Sequence, residues 1–286
     1  MPIQVCRTIV DVRNFLSALR AEGRGGTIGF FPTLGGVHVG HRACLEVARS
    51  QCDTVVASLF LNPSQFDSID DFHSYPRSES ADVAAIEESG ADCVFVPTVE
   101  EMYPDGPACQ LDIPDLTSRL EGALRSGHFS GVMTIVTKLL NIVSPDRLYL
   151  GEKDYQQCVI LERMIEDLHF PVEVVRVKTV REPDGLAVST RNARLTFDQR
   201  SAAGRVGEAL RSVNAIVDGG ERSAEAVKAH VTECLGDGKV CVRPTLVSVV
   251  NDRTLRPVSL ISERCLVLVC ATIGTVDVVD HIVVTP

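Results

Sequence analysis

The chain is short of positive charge and has no long apolar run and no closely spaced cysteine pair. Its 286 residues carry 28 Lys and Arg against 38 Asp and Glu, a formal net charge of −10. That balance argues against a general nucleic-acid-binding surface, which needs clustered basic groups to neutralise phosphates, so any phosphate ligand must be held locally. No stretch of about 18 apolar residues could span a bilayer. The start, Met1-Pro2-Ile3-Gln4-Val5-Cys6-Arg7, lacks the charged and then apolar regions of a secretory signal. A soluble, cytoplasmic protein with no membrane or nucleic-acid partner is expected. Ten cysteines are scattered along the chain and none forms a C-x-x-C pair, which favours small buried hydrophobes over disulfides or metal ligands. There is no internal repeat or low-complexity segment, and the length allows one large domain plus a smaller one.

What is present is organised around Ile28-Gly29-Phe30-Phe31-Pro32-Thr33-Leu34-Gly35-Gly36-Val37-His38-Val39-Gly40-His41. An apolar run from Ile28 to Phe31 suits a buried parallel strand ended by Pro32, and the glycines let backbone approach a ligand closely. From about His38, the residues Ala43, Leu45, Val47 and Ala48 supply a helix's apolar face. Both histidines are therefore expected in its first turn, three residues apart on one face, where unpaired N–H groups favour anions. Two imidazoles there can stabilise charge developing on a phosphate. Equally, one can cap the helix while the other packs. A zinc site lacks the third and fourth ligands.

Thr54 to Leu61 reads as a second apolar strand, completing a βαβ unit with a right-handed crossover. Its carboxyl end delivers Asn62-Pro63-Ser64-Gln65-Phe66, where open α/β sheets place ligands; Gln65 is either a reader of hydroxyl and carboxylate groups or a solvated loop residue. Ala91 to Pro97 is a third strand. Arg147 to Leu150 runs into Gly151-Glu152-Lys153-Asp154-Tyr155-Gln156-Gln157. There a cation can meet phosphate and a carboxylate can accept ribose hydroxyls, or the same charges can simply begin a helix. Val172 to Val177 is a further strand with one face less buried. The polar loop from Val180 to Asn192 sets Ser189 and Thr190 beside Arg191, which reads as a mobile phosphate clamp or as a turn with a helix cap. Beyond it, helices from Thr196 to about Asp218 and from Ser223 to Leu235 precede strands at Val240–Val250 and Arg264–Thr272. The switch from βαβ units to helices then strands puts a domain boundary near residue 180.

His38-Val39-Gly40-His41 resembles the H-x-G-H signature of the nucleotidylyltransferase superfamily, whose members bind ATP or CTP on a Rossmann-like sheet. Pro32-Thr33-Leu34-Gly35 narrows the resemblance to the pantothenate synthetase, or pantoate–β-alanine ligase, family. The same family's motifs resemble Asn62–Phe66 (N-P-x-Q-F), Tyr75-Pro76-Arg77, Tyr103-Pro104-Asp105-Gly106 (Y-P-x-G), Gly127–Val132 (G-H-F-x-G-V), Gly151–Gln157 (G-E-K-D-[FY]-Q-Q) and Arg181–Asn192. They follow the family's order across roughly residues 28 to 195.

The resemblance implies an α/β fold: a Rossmann-like parallel-sheet domain over 1–179 that binds ATP and pantoate, and a smaller C-terminal α+β lid over 180–286. It implies ATP-dependent condensation of pantoate with β-alanine through a pantoyl adenylate, releasing AMP and pyrophosphate. His38, His41, Lys153 and Arg191 are the implied catalytic groups. ATP is expected against those four and Leu34, Gly35, Gly36, Gly151, Glu152, Asp154, Val180, Val188, Ser189 and Thr190. Gln65, Gln157 and Asn62 are implied to hold pantoate or β-alanine. Magnesium is expected mainly through the ATP phosphates, because Asp82 matches one acidic position of the family while Ala81 stands where another carboxylate can occur. A homodimer is implied as well. Leu34, Val39, Val188 and Thr190 depart from the family's usual residues, which leaves open a different acid or amine. A nucleotidylyltransferase that stops at a nucleotide adduct is the alternative class, and amine-dependent AMP release separates the two.

Overall fold

The computed structural model describes residues 2–236 and 240–286. In chain order its first half contains β1 (Gln4–Cys6), α1 (Ile9–Ala21), β2 (Ile28–Thr33), α2 (Val39–Gln51), β3 (Thr54–Leu59), α3 (Ile69–His73), α4 (Glu79–Glu88), β4 (Cys93–Phe95), α5 (Val99–Met102), α6 (Pro114–Thr117), α7 (Glu121–Leu124) and α8 (His128–Val143). Then follow β5 (Arg147–Gly151), α9 (Tyr155–Asp167), β6 (Glu173–Val177), α10 (Phe197–Asp218), α11 (Ala224–Gly236), β7 (Val242–Asn251), β8 (Cys265–Ile273) and β9 (Val276–Val284).

Two compact units result. The first holds residues up to Thr117, Arg125–Glu152 and Ile160–Lys178; the second gathers Ser118–Leu124, Lys153–Val159 and Thr179–Pro286.

Among the described residues, six parallel strands of the first unit lie in the order β1-β4-β3-β2-β5-β6. The order reverses between β2 and β5. Open parallel sheets bind ligands outside the carboxyl ends of their strands at such a switch point, and those two strands lead into the histidine motif and the Gly151 motif. β3 is buried at all six positions, as expected of a strand covered on both faces. The α2 helix lays Cys44, Leu45 and Ala48 into a core shared with Phe31, Val55, Ala57 and Tyr149. Fully burying each large side chain contributes roughly 1.5–3 kcal/mol.

Pro32 does not end its strand as its type predicts; β2 continues to Thr33, with Pro32 opposite Ser58. Thr33 faces β3, since its carbonyl accepts the Phe60 N–H at 3.0 Å. The alternation turns the nitrogen of Pro32 towards β5, where pairing with β2 has already stopped at Phe30. No ladder bond is lost, so proline is tolerated.

The second unit packs α10 and α11 on an antiparallel sheet in the order β7-β8-β9. A capping box between Thr196 and Gln199 starts α10. Two strands, β1 and β9, go beyond the elements expected from the sequence. Seven of the ten cysteines are buried and all are free thiols, while Cys109 and Cys241 are exposed. Among the described residues no helix is long and apolar enough to cross a membrane.

Candidate active site

At the end of β2 the chain makes a tight turn through Gly35 and Gly36, both at positive φ (104° and 65°), a region that a side chain would strain. The turn is held from α4. Asp82, only 4 % exposed, accepts the backbone N–H of Val37 at 2.7 Å, Gly36 at 3.0 Å and Ser78 at 3.2 Å. Asp82, the acidic position weakly matched to magnesium in the sequence, here serves three backbone donors. Among the described residues no group of three or more His, Cys, Asp or Glu could hold a metal ion.

His38 is not in the first turn of α2 but caps it. Its Nδ1 accepts the Gly40 N–H at 3.1 Å, and the Nδ1 of His41 accepts the N–H of His38 at 3.4 Å, a reciprocal box built from imidazoles. The rings stack with centroids 3.8 Å apart and planes 14° from parallel, and His41 leans on Phe31. Because both Nδ1 atoms accept from backbone, the neutral rings carry their protons on Nε2. Each histidine is thus a donor at a helix N-terminus that is itself electropositive. Of the two readings the sequence offered, the structure shows the cap, which uses the Nδ1 edge of each ring. Leu34 follows the strand as a half-buried residue.

The loop after β3 is a short 3-10 turn, Pro63–Gln65, capped by Asn62. Asn62, expected from the sequence to hold substrate, is wholly buried and its side chain meets Gln65. Its Nδ2 donates to Gln65 Oε1 at 3.1 Å and to the Gly131 carbonyl at 3.3 Å, while its Oδ1 accepts from Ser64 Oγ at 2.9 Å and from the Tyr103 hydroxyl at 3.0 Å. The Gln65 carbonyl oxygen is thereby engaged, and its amide nitrogen has no acceptor among the described residues. The turn is also gripped from α8. His128 Nδ1 lies 2.7 Å from the Gln65 backbone carbonyl and its Nε2 lies 3.2 Å from Arg125. A carbonyl only accepts and a guanidinium only donates, so His128 is the neutral Nδ1–H tautomer. Tyr103 carries Lys138 Nζ over its ring, 4.5 Å from the centroid.

From β5, ending at Gly151, the chain passes through a 3-10 turn at Glu152–Asp154 into α9. In the second unit Lys153 Nζ pairs with Asp154 Oδ1 at 3.0 Å. Burial pulls the Lys153 ammonium down, but Asp154 by charge and hydrogen bond, with Glu121 adding, leaves it above its ordinary value; Lys153 stays a cation. Gln156 is fully buried and brackets the segment before α7: it accepts the Glu121 N–H at 3.0 Å and donates to the Arg119 carbonyl at 2.8 Å. Gln157, the expected substrate ligand, stands half-buried in the first turn of α9.

The loop expected as a mobile clamp is a pinned hairpin. Val188 N–H donates to the Val180 carbonyl at 3.0 Å and Glu182 N–H to Leu186 at 2.9 Å, and Leu186 is buried in the core of the second unit. Its tip is held by Arg200, whose two nitrogens reach Asp184 at 2.6 and 3.2 Å and keep that carboxyl below its usual range. Ser189 then caps a 3-10 turn, Thr190–Arg194, by accepting the Arg191 N–H at 3.3 Å, so the helix-cap reading holds for Ser189.

Sequence reasoning gave no role to Tyr103, Gln156, Glu121, Arg181 or Asp280. A signal existed for Asp280, which shares the inward parity of Val276, Val278 and Val284 along β9; an acid there must find a partner.

Beside it, His281 is buried against the Tyr155 ring at 5.0 Å. Burial pulls His281 from 6.5 to about 4, with Arg181 and Lys153 acting in the same direction and Asp280 and Asp154 opposing. Between pH 6.5 and 4 the unfolded chain takes up a proton that the folded chain refuses, so stability falls as pH falls, by on the order of 3 kcal/mol at the acid end. In urea melts from pH 7 to pH 5 the His281→Asn variant is expected to lose stability less steeply than wild type. Equal slopes would clear His281 of this effect.

A parallel sheet whose switch point opens onto a histidine-capped helix defines a nucleotide-binding α/β protein of the H-x-G-H type. Residues 4–283 match the Pantoate-beta-alanine ligase family, and the chain belongs to that family. It is 45 % identical over 280 residues to the pantothenate synthetase of Rhizobium meliloti (98 % of this chain, 95 % of that one). Over 281 residues it is 41 % identical to the pantothenate synthetase of Moorella thermoacetica (98 % of each). The pantothenate synthetase of Thermus thermophilus superposes with a TM-score of 0.92 at 39 % identity, covering 99 % of this chain and 100 % of that one. The pantoate-beta-alanine ligase of Francisella tularensis, complexed with beta-gamma ATP and beta-alanine, gives 0.82 at 28 % identity, covering 98 % and 97 %.

Proposed function

We propose that this enzyme condenses pantoate with β-alanine at the expense of ATP in two half-reactions. A pantoate carboxylate oxygen attacks the α-phosphorus, a P–O bond forms, the bond to the β-phosphate oxygen breaks, and pyrophosphate leaves. The amine of β-alanine then attacks the activated carbonyl; a C–N bond forms, the C–O bond to AMP breaks, and the nitrogen gives up its proton. A carboxylate is a poor acyl donor until its oxygen belongs to a good leaving group, which is what adenylation supplies.

The observation that carries this reading is the pair of Nδ1-anchored histidines at the α2 N-terminus. Rings fixed by backbone on one edge present Nε2–H donors that need no reorganisation as charge builds on the phosphates. Lys153, kept cationic by Asp154, adds charge with Arg191, Ser189 and Thr190. Asp154 receives ribose hydroxyls, and Leu34, Gly35, Gly36, Gly151, Glu152, Val180 and Val188 border the nucleotide. Gln65 and Gln157 orient pantoate for in-line attack, a gain of orientation rather than of acid–base chemistry; Asn62 serves by holding Gln65. Magnesium enters on the triphosphate, where it needs few protein ligands, and no step is assigned to a protein-held ion. The enzyme acts as a homodimer in the cytoplasm, with residues 1–179 binding ATP and pantoate and 180–286 forming the lid.

The test is release of AMP and pyrophosphate from purified protein given magnesium-ATP and pantoate, with and without β-alanine. Pyrophosphate with pantoate alone and AMP only after β-alanine is the expected pattern. AMP release indifferent to the amine overturns the two-step ligase.

A further inference from the structure

The residues of the clamp hairpin do not set its position by themselves. Arg181 and Ala187 face each other as a bridge across its base, and both are met by one side chain from β9. Asp280 is fully buried. Its Oδ2 accepts Arg181 Nη1 at 2.7 Å and its Oδ1 accepts Arg181 Nη2 at 2.9 Å, a two-pronged pair, while Oδ2 also accepts the Ala187 N–H at 3.2 Å. Arg181 directs further donors to the Gly185 carbonyl at 2.9 Å and the His281 carbonyl at 2.8 Å. One carboxylate thus grips both strands of the hairpin two residues before Ser189. A buried pair of this kind is weak evidence for stability, because desolvation offsets the attraction; its better-attested use is to select one geometry. The planar fork of arginine makes that geometry directional.

We propose that Asp280 is a positioning residue for adenylation: through Arg181 and Ala187 it sets where Ser189, Thr190 and Arg191 stand against the phosphates of ATP. This rests on the reading that those three residues bind nucleotide. Asp280 touches no substrate. The two prongs and the Ala187 bond have to be kept together, because losing the charge lets the guanidinium rotate and frees the strand that leads directly to Ser189.

The test is steady-state kinetics of pyrophosphate release, with the active fraction counted by the adenylate burst, for wild type, Asp280→Asn, Arg181→Lys and Ser189→Ala. Asp280→Asn keeps size and one acceptor but loses the charge; Arg181→Lys keeps the charge but loses the fork, and serves if the first variant folds poorly. Both are expected to raise the KM for ATP about tenfold or more per active site while the KM for pantoate moves less than about twofold. A purely structural Asp280 would lower the active fraction or the melting temperature and leave the KM of the surviving sites alone, and that result overturns the proposal. If Ser189→Ala raises the KM for ATP and neither Asp280→Asn nor Arg181→Lys does, positioning by Asp280 fails while the clamp stands. If Ser189→Ala does not move it either, the clamp reading falls and takes the proposal with it.

Discussion

Replacing His41 with alanine is expected to slow pantoate-dependent pyrophosphate release by about 10²–10³-fold, equivalent to roughly 3–4 kcal/mol, the range for loss of one preorganised donor. The size follows from the way the ring is held. His41 Nδ1 accepts the His38 N–H, and the ring stacks on His38 at 3.8 Å, so Nε2–H is aimed before substrate arrives. Alanine also removes half of the reciprocal cap, which costs about 0.5–2 kcal/mol of stability. The two losses separate with His41→Asn, whose short amide can still accept from the His38 N–H but cannot reach where Nε2 stood. Asparagine is expected to restore stability and leave the rate low. Rapid-quench measurement of pyrophosphate, beside thermal melts, reads both; a normal rate in folded His41→Ala would remove this residue from the chemistry.

Gly131→Ala is the second large effect, and it acts through the packing behind Gln65. A methyl group at 131 would stand 2.3 Å from the Ser64 carbonyl oxygen, 2.6 Å from its carbon and 2.8 Å from Gln65 Cα. All three are backbone atoms, so the turn at Pro63–Gln65 or α8 must shift. Gly131 also lends its carbonyl to Asn62 Nδ2, the group that orients Gln65. Overpacking of this kind typically costs about 1–3 kcal/mol of stability, and a misplacement of about 1 Å can cost 10²-fold in rate. If Gln65 holds pantoate, its KM is expected to rise by at least about tenfold in Gly131→Ala while the KM for ATP stays near wild type. Calorimetric titration with pantoate gives an independent reading. Unchanged pantoate affinity in a folded variant would take Gln65 off the substrate.

Sequence and structure diverge most at the histidines. The glycines and the apolar run placed strand, turn and helix to within a residue or two, because those residue types act locally on backbone freedom. That His38 caps the helix and that both rings accept on Nδ1 was not legible, since the choice between capping and contact is made by a few degrees of ring rotation. Pro32 shows the limit of a local rule: proline ends strands where its nitrogen faces a partner, and here it faces the side where pairing has stopped. Asp82 illustrates another. Nothing along the chain showed that burial sets its carboxylate against the N–H groups of Gly36, Val37 and Ser78.

Sequence by itself determined the class of fold, the family and the places along the chain where glycine, histidine, lysine and amide side chains gather. Periodicity, turn residues and ordered motifs are properties of neighbours along the chain. Tertiary structure alone decided which of those residues are held and by what. Tyr103 steadies Asn62, 41 residues away, His128 grips Gln65 across 63, and Asp280 pins Arg181 across 99. Each is a buried polar group that would be costly unpaired, and its partner is chosen by packing, which no local pattern records.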